Sequence, residues 1–312
     1  MAIGTDLHKA IDLLNAGQVV GLPTETVYGL AANALDPVAV AKIYEIKQRP
    51  SFDPLIIHTS DFDRIKSYVH DIPTALQEIM MDNMPGPLTV LLEKKNIVPD
   101  LTTSGLKHVA VRIPSHPITQ KLLSRIDFPL AAPSANPFGY ISPTSAQHVS
   151  DQLGDKIPYI LDGGQCEVGL ESTIIGLAEG SPVIYRNGGL SIEQVRKYLP
   201  NVKARAHSSS NPAAPGMLKS HYAPSIPLQI VEEYSRNRDR IGYITFGEAV
   251  DLGIGSVQLE LSASRSYSEA ARNLFRFMRT LDSTELKSIE VKLLPEEDLG
   301  IAINDRLRRA AS

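Results

Sequence analysis

The chain has 312 residues, 43% of them hydrophobic and 21% charged, enough apolar content to bury a core and too little charge for a disordered chain. Lys plus Arg number 31 against 35 Asp plus Glu, a formal net charge of −4 that argues against nucleic acid as the main ligand. One cysteine, Cys166, excludes an internal disulfide framework and a zinc site built on several thiolates. The first twelve residues lack the apolar core of a signal peptide, and no apolar run approaches the ~18 residues of a membrane helix. The composition is that expected of a cytoplasmic protein without direct membrane contact.

In chain order, residues 5–15 read as an amphipathic helix carrying Leu7, Ile11 and Leu14 on one face and stopping at Gly17. A short strand follows at 19–22. Asp36-Pro37 marks a helix start, an N-cap before proline at the first helical position, running to about Lys47. Strands are expected at 55–58 and 88–92, with a helix from 73 to about 81. Residues 108–113 alternate, placing Val109, Val111 and Ile113 on one face and His108, Ala110 and Arg112 on the other. A strand at 130–132, a helix at 145–153 and strands at 159–161, 172–175 and 183–185 follow. Ser191 with Gln194 forms a capping box that opens a helix to Tyr198.

Residues 206–216, AHSSSNPAAPG, break the pattern and read as a linker. Beyond it come strands at 228–231, 241–246, 257–261 and 289–293, an amphipathic helix at 266–281 and a helix at 300–310. Interleaved helices and strands give an α/β class with a mixed sheet. The expected units are 1–205, a linker at 206–227, and a smaller α/β domain at 228–312.

The phosphate-binding P-loop, the dinucleotide fingerprint, HExxH and G-x-S-x-G are all absent, and the eight histidines are scattered singly. Polar residues remain in unusual places. Thr26 lies in a turn after a strand and reads either as a turn cap or as a ligand contact. Lys47 and Arg49 sit where a helix runs out, favoured there by the helix dipole or suited to polyphosphate. Arg112 on a sheet needs a partner, either a ligand carboxylate or an internal ion pair. Ser134 and Asn136 between prolines, Ser142 before Pro143, Ser172, and Arg186 at a strand end each admit a structural reading alongside a binding one. Together, four cations at element ends and several hydroxyls suit a ligand with about four negative charges plus a carboxylate.

At these residues the sequence resembles a known family. PTETVYGL (23–30), KQRP with DPLIIH (47–58), VAVRIP (109–114), APSAN (132–136), ESTII (171–175) and YRNG (185–188) occur in that order. They resemble the YrdC-domain threonylcarbamoyl-AMP synthases. PGM (215–217), HYAP (221–224), YSEAARNLF (267–275) and INDRLRRAA (303–311) resemble the longer, two-domain form. The resemblance implies a twisted α/β domain with a concave sheet, followed by a Rossmann-like domain. It implies synthesis of threonylcarbamoyl-adenylate from L-threonine, bicarbonate and ATP with Mg2+, releasing pyrophosphate. A separate tRNA threonylcarbamoyl-transferase complex would then use the product.

The same resemblance implies the site. Thr26, His58, Arg112, Ser172 and the Ala132 backbone would hold threonine. Lys47 and Arg49, with Asp53 nearby, would hold the triphosphate. His108, Ser134, Ser142 and Arg186 would contact nucleotide, Asn136 would sit beside metal and phosphates, and the linker would form a lid with Lys219, His221 and Tyr222 as candidate contacts. The segment 214–220 departs from the basic and tyrosine residues that many members carry after Ser-Pro-Gly-Met. An RNA-binding module and a carbamoyl-adenylate enzyme of the hydrogenase-maturation type are the rival readings. The net charge weighs against the first; the single cysteine and the length weigh against the second.

Overall fold

The structure, a computed structural model, describes residues 2–204, 214–215 and 221–312. The strands of its first part are β1 (Ala2–Gly4), β2 (Val20–Leu22), β3 (Gly29–Asn33), β4 (Ile56–His58), β5 (Leu88–Glu93), β6 (His108–Arg112), β7 (Leu130–Ala131), β8 (Tyr159–Leu161), β9 (Thr173–Ala178), β10 (Ser181–Arg186) and β11 (Lys203–Ala204). Among the described residues these eleven make one mixed sheet, ordered β1-β8-β2-β3-β7-β4-β6-β5-β9-β10-β11. Neighbours such as β4 with β6 and β5 with β9 run parallel, while β7 with β4 and β6 with β5 run antiparallel. The second part carries β12 (Leu228–Ile230), β13 (Ile241–Thr245), β14 (Val257–Glu260) and β15 (Ser288–Val291). They form an all-parallel sheet ordered β12-β15-β13-β14, with the Tyr267–Asp282 and Gly300–Ala310 helices among its crossovers and flanks.

Local chemistry explains the elements that frame the site. The Asp36 side chain accepts from the Val38 amide at 2.9 Å, and Pro37 opens the Pro37–Lys47 helix. That helix ends because Gln48 adopts a left-handed conformation (φ 53°), and the Arg49 amide then closes on the Tyr44 carbonyl at 2.9 Å. Lys47 then meets the Ser134 and Asn136 carbonyls, and Arg49 those of Asp53 and Pro54. In β6 the alternation acts as expected. Val109, Val111 and Ile113 join the main core, and Ala110 joins Ile56, Leu91, Ile174 and Tyr185 on the opposite face. Both faces are buried, so Arg112 on that second face is 3% exposed.

Several elements lie where the sequence reading expected none: β1, β3, β11 and the Phe62–Tyr68, Asp100–Thr103 and Pro117–Leu123 helices. β3 reads GLAAN, small residues of low strand propensity, and is fixed by its neighbours β2 and β7 instead. The two parts also share a core. Val27, Ile141 and Leu170 of the first pack in one cluster with Leu274, Phe275, Ile303 and Leu307 of the second. The last strand of the first sheet ends at Ala204 and the second sheet begins at Leu228. Most of the expected linker lies outside the described residues. Ala214 is fully buried on the Ile56–Ala110–Ile174 face.

Candidate active site

A cleft opens over that second face of the sheet. It encloses about 600 Å3 of empty space, open mouth included. Its wall brings together Thr26, Arg49, His58, Arg112, Ala132, Ser134, Ser172, Arg186 and His221, segments up to 195 residues apart in sequence.

One end is built around Arg112. Its Nη1 donates to Thr26 Oγ1 at 2.8 Å, its Nε to the Gly86 carbonyl at 3.1 Å, and its Nη2 pairs with Glu25 Oε1 at 2.6 Å. Thr26 Oγ1 is also 2.8 Å from Thr24 Oγ1. The internal ion pair is thus real, and Glu25 is a site residue that sequence reasoning missed, because its partner lies 87 positions away. The pair holds the guanidinium at the cleft wall. Burial, then the nearby Arg112 charge, push His58 down to about 3, so its imidazole is neutral. His58 Nδ1 has no hydrogen-bond partner among the described residues. Ala132 closes this end, its amide bonded to the Ile56 carbonyl at 3.1 Å. Gly29 lets it approach: a Cβ at Gly29 would stand 3.1 Å from the Ala132 Cβ.

The second group belongs to the chain after the Pro37–Lys47 helix. Lys47 is 1% exposed and donates Nζ to the Ser134 and Asn136 carbonyls, both at 2.5 Å. Burial first, then the Arg49 charge, push its ammonium well below the usual lysine range against the pull of Asp53. Arg49 binds its own loop through the Asp53 and Pro54 carbonyls (3.0 and 2.8 Å) and pairs with the Asp53 carboxylate at 2.9 Å. Asn136 Nδ2 donates to the Pro137 and Tyr140 carbonyls, while its buried Oδ1 has no partner among the described residues.

At the third side, Arg186 grips Ser172 through the backbone carbonyl (3.0 Å) and the hydroxyl (3.1 Å), and that hydroxyl is 2.7 Å from Thr89 Oγ1. Burial brings Arg186 down to about 10, still a cation at neutral pH. Beside it stands Glu171, another lining residue. Its Oε1 accepts the Ser142 hydroxyl at 2.5 Å and its Oε2 pairs with Arg306 of the second domain at 3.1 Å. Burial alone would raise the Glu171 carboxyl; Arg306, Arg186 and the Ser142 hydroxyl outweigh it and hold the group ionised. His221 and Tyr222 cover this side with Pro215, and the His221 ring packs edge-on to Phe138 and Tyr222.

Not every expected residue reaches the cleft wall. His108 is exposed and starts β6, roughly 13 Å along the strand from Arg112 at ~3.3 Å per residue, and it does not line the cleft. Asn136 and Ser142 are fully buried behind the wall, and Lys47 is engaged by the 133–137 loop. Asp53 stands behind Arg49. Lys219 lies outside the described residues. No group of three or more His, Cys, Asp or Glu arranged for a metal occurs among the described residues.

Comparison with known proteins gives this geometry a family. Residues 12–188 match the model described as "Telomere recombination", the Sua5/YciO/YrdC domain. Residues 190–312 match "Threonylcarbamoyl-AMP synthase, C-terminal domain". The threonylcarbamoyl-AMP synthase of Pyrococcus abyssi is 40% identical, over 98% of this chain and 94% of its own. The chain belongs to the threonylcarbamoyl-AMP synthase family. The Bacillus subtilis threonylcarbamoyl-AMP synthase is 36% identical over 98% of this chain and 92% of its own. The crystal structure of P. abyssi Sua5 complexed with L-threonine superposes with a TM-score of 0.92 at 36% identity, spanning all of this chain and 98% of that one. Its likeness identifies the architecture seen here as that of a two-domain threonylcarbamoyl-AMP synthase. A HypF structure, at 23% identity and TM-score 0.52, shares the fold over 59% of this chain and 29% of its own.

Proposed function

We propose that the cleft forms threonylcarbamoyl-AMP and pyrophosphate from L-threonine, bicarbonate and ATP. The single observation that carries this reading is the convergence of Arg49, Arg112 and Arg186 on one cleft in a chain of this family. Arg112, held by Glu25, would take the threonine carboxylate on its remaining hydrogen-bonding capacity, a charge-assisted contact of roughly 1.5–3 kcal/mol. Thr26, His58, Ser172 and the Ala132 backbone would surround the rest of the amino acid. Neutral His58 adds no second charge and accepts or donates through its unpartnered nitrogen. The P. abyssi Sua5 structure holds L-threonine, which favours this assignment.

ATP would occupy the other side. Arg49 and Arg186 meet its phosphates, Ser134 and His221 border it, and Lys47 fixes the 133–137 loop from behind until the nucleotide competes for its ammonium. Asp53 holds Arg49, and Ser142 acts through Glu171. Asn136, whose buried Oδ1 has no partner among the described residues, would sit beside a Mg2+ carried in by ATP, whose own ligands would be mostly phosphate and water. When bound, the ion would neutralise phosphate charge.

The reaction then needs position more than acid–base machinery. Bicarbonate yields CO2 and hydroxide; the neutral threonine amine bonds the CO2 carbon to form the carbamate, and the proton it releases joins the hydroxide as water. A carbamate oxygen next bonds the α-phosphorus as the bond to the β-phosphate oxygen breaks, and pyrophosphate leaves with the electron pair. Arg112 anchors the nucleophile's carboxylate, and the cations stabilise the charge gathering on the leaving group. We assign residues 1–205 to this catalytic domain, 206–227 to a lid and 228–312 to the second domain, and place the protein in the cytoplasm upstream of a tRNA threonylcarbamoyl-transferase complex. No described helix is long and apolar enough to cross a membrane.

Pyrophosphate release tests the reading. Release is expected only when threonine, bicarbonate, ATP and Mg2+ are all present; release that persists without threonine rejects it.

A further inference from the structure

Two arginines of the Gly300–Ala310 helix bring the second domain to the cleft: Arg309, whose carbonyl accepts the His221 amide at 3.1 Å and whose guanidinium carbon lies 4.7 Å from the centre of the Tyr222 ring, and Arg306, which meets the wall carboxylate. Arg306, on the Gly300–Ala310 helix, is completely buried. Its Nε pairs with Glu171 Oε2 at 3.1 Å, and its Nη1 donates to the Asn187 carbonyl at 2.7 Å and to Asp305 Oδ2 at 2.8 Å. Its guanidinium carbon lies 5.4 Å from the centre of the Tyr222 ring. One guanidinium therefore fastens three segments: the wall carboxylate Glu171, the residue directly after Arg186, and the cover residue Tyr222. All three border the side assigned to nucleotide. Arg112, Thr26 and His58 have no contact with it.

The charge arithmetic gives the contact a direction. Glu171 lines the cleft and is held ionised. Without Arg306, one of its oxygens would keep the Ser142 hydroxyl and the other would lose its ion-pair partner, leaving Arg186, itself needed for phosphate, as the remaining counter-charge. A triphosphate brings about four negative charges to that place, and like charges at short range in a desolvated site repel strongly. Arg306 also leaves Nη2 unbonded among the described residues, so its hydrogen-bonding capacity is not exhausted.

We propose that Arg306, supplied by the C-terminal domain, is a positioning residue for ATP that neutralises Glu171 and sets the Glu171–Ser142 and Arg186–Asn187 walls. The proposal rests on the cleft being the ATP and threonine site described above. It assigns the second domain a part in the reaction rather than in stability alone.

Calorimetric ATP binding and steady-state kinetics on the full chain separate the two. Arg306→Met is expected to weaken ATP, as Kd without threonine and as KM, by at least about tenfold, the scale of one charge-assisted hydrogen bond. The KM for threonine at saturating ATP stays within about threefold. Adding Glu171→Gln to Arg306→Met removes the stranded charge and recovers at least about fivefold of the lost ATP affinity. If Arg306→Met does not fold, Arg306→Lys keeps the charge but loses the fork, and it is expected to raise the KM for ATP alone. The proposal is overturned if the folded variant loses only thermal stability, if ATP and threonine weaken together, or if the double variant is no better than the single. ATP affinity is read without turnover, so a wild-type protein that binds ATP yet shows no threonine-dependent pyrophosphate release rejects the activity and leaves the Arg306 test intact.

Discussion

At the scale of single residues, Arg112 shows how burial changes what a substitution means. From sequence alone Arg112→Ala is expected to fold normally and lose activity. The buried ion pair argues for a loss of stability as well, since removing the guanidinium strands the Glu25 carboxylate, which is 4% exposed. Breaking such a pair costs about 3–5 kcal/mol. Arg112→Lys is the better probe. It keeps a charge near Glu25 and loses the two-pronged geometry, so we expect the KM for threonine to rise roughly 10–100-fold with ATP affinity unchanged. Equal KM values for threonine in steady-state assays would remove Arg112 from the carboxylate site. Lys47→Ala carries the same lesson: the half-buried Ser134 and buried Asn136 carbonyls lose their donor, and stability falls along with activity.

Among elements, strand ends and the turns after them do the positioning. Gly188 follows β10, and a Cβ there would collide with the Glu171 carbonyl and the Ser172 backbone. Gly188→Ala is therefore expected to displace Glu171 and Ser172 together and to weaken both substrates at least about tenfold. Calorimetry that finds both affinities unchanged would show that the segment yields without disturbing the site. Elements of this kind were legible where local chemistry specifies them. Asp36-Pro37 and the Ser191–Gln194 capping box mark helix starts from neighbouring residues, and the β6 alternation placed Arg112 on the correct face. β3 was not legible, because GLAAN is chosen for close approach to Ala132 rather than for strand propensity. Nor were Glu25 and Arg306 as site residues: their partners lie 87 and 135 positions away, and no spacing rule spans that distance. Only the ordered family blocks pointed to those segments.

For the whole molecule, the shared cluster of Val27, Ile141, Leu170, Phe275 and Leu307 ties the two domains into one cooperative body. Phe275→Ala should cost about 3–5 kcal/mol, and the chain should still melt in a single calorimetric transition. Two separated transitions would contradict a joint core. Acid stability follows from the buried histidines. His58 is held near 3, His148 near 4 and His221 well below its usual range, each mainly by burial. Unfolding frees them to bind protons below their ordinary value of about 6.5, so the unfolded state takes up more protons than the folded one in that window. Stability therefore rises with pH between about 4 and 6.5, by up to about 1.4 kcal/mol per pH unit for each histidine, and levels off above. Denaturant melts at pH 5 and pH 7 check the sign; greater stability at pH 5 would reverse it.

The central claim is that a carbamate oxygen of threonine meets the α-phosphorus of ATP in a cleft walled by Arg49, Arg112 and Arg186. Turnover in 18O-labelled bicarbonate, followed by mass spectrometry of the products, tests it most directly. Label is expected in threonylcarbamoyl-AMP, including the oxygen joining carbon to phosphorus, and none in the pyrophosphate. Label appearing in inorganic phosphate alongside ADP would place the attack on the terminal phosphate and contradict it.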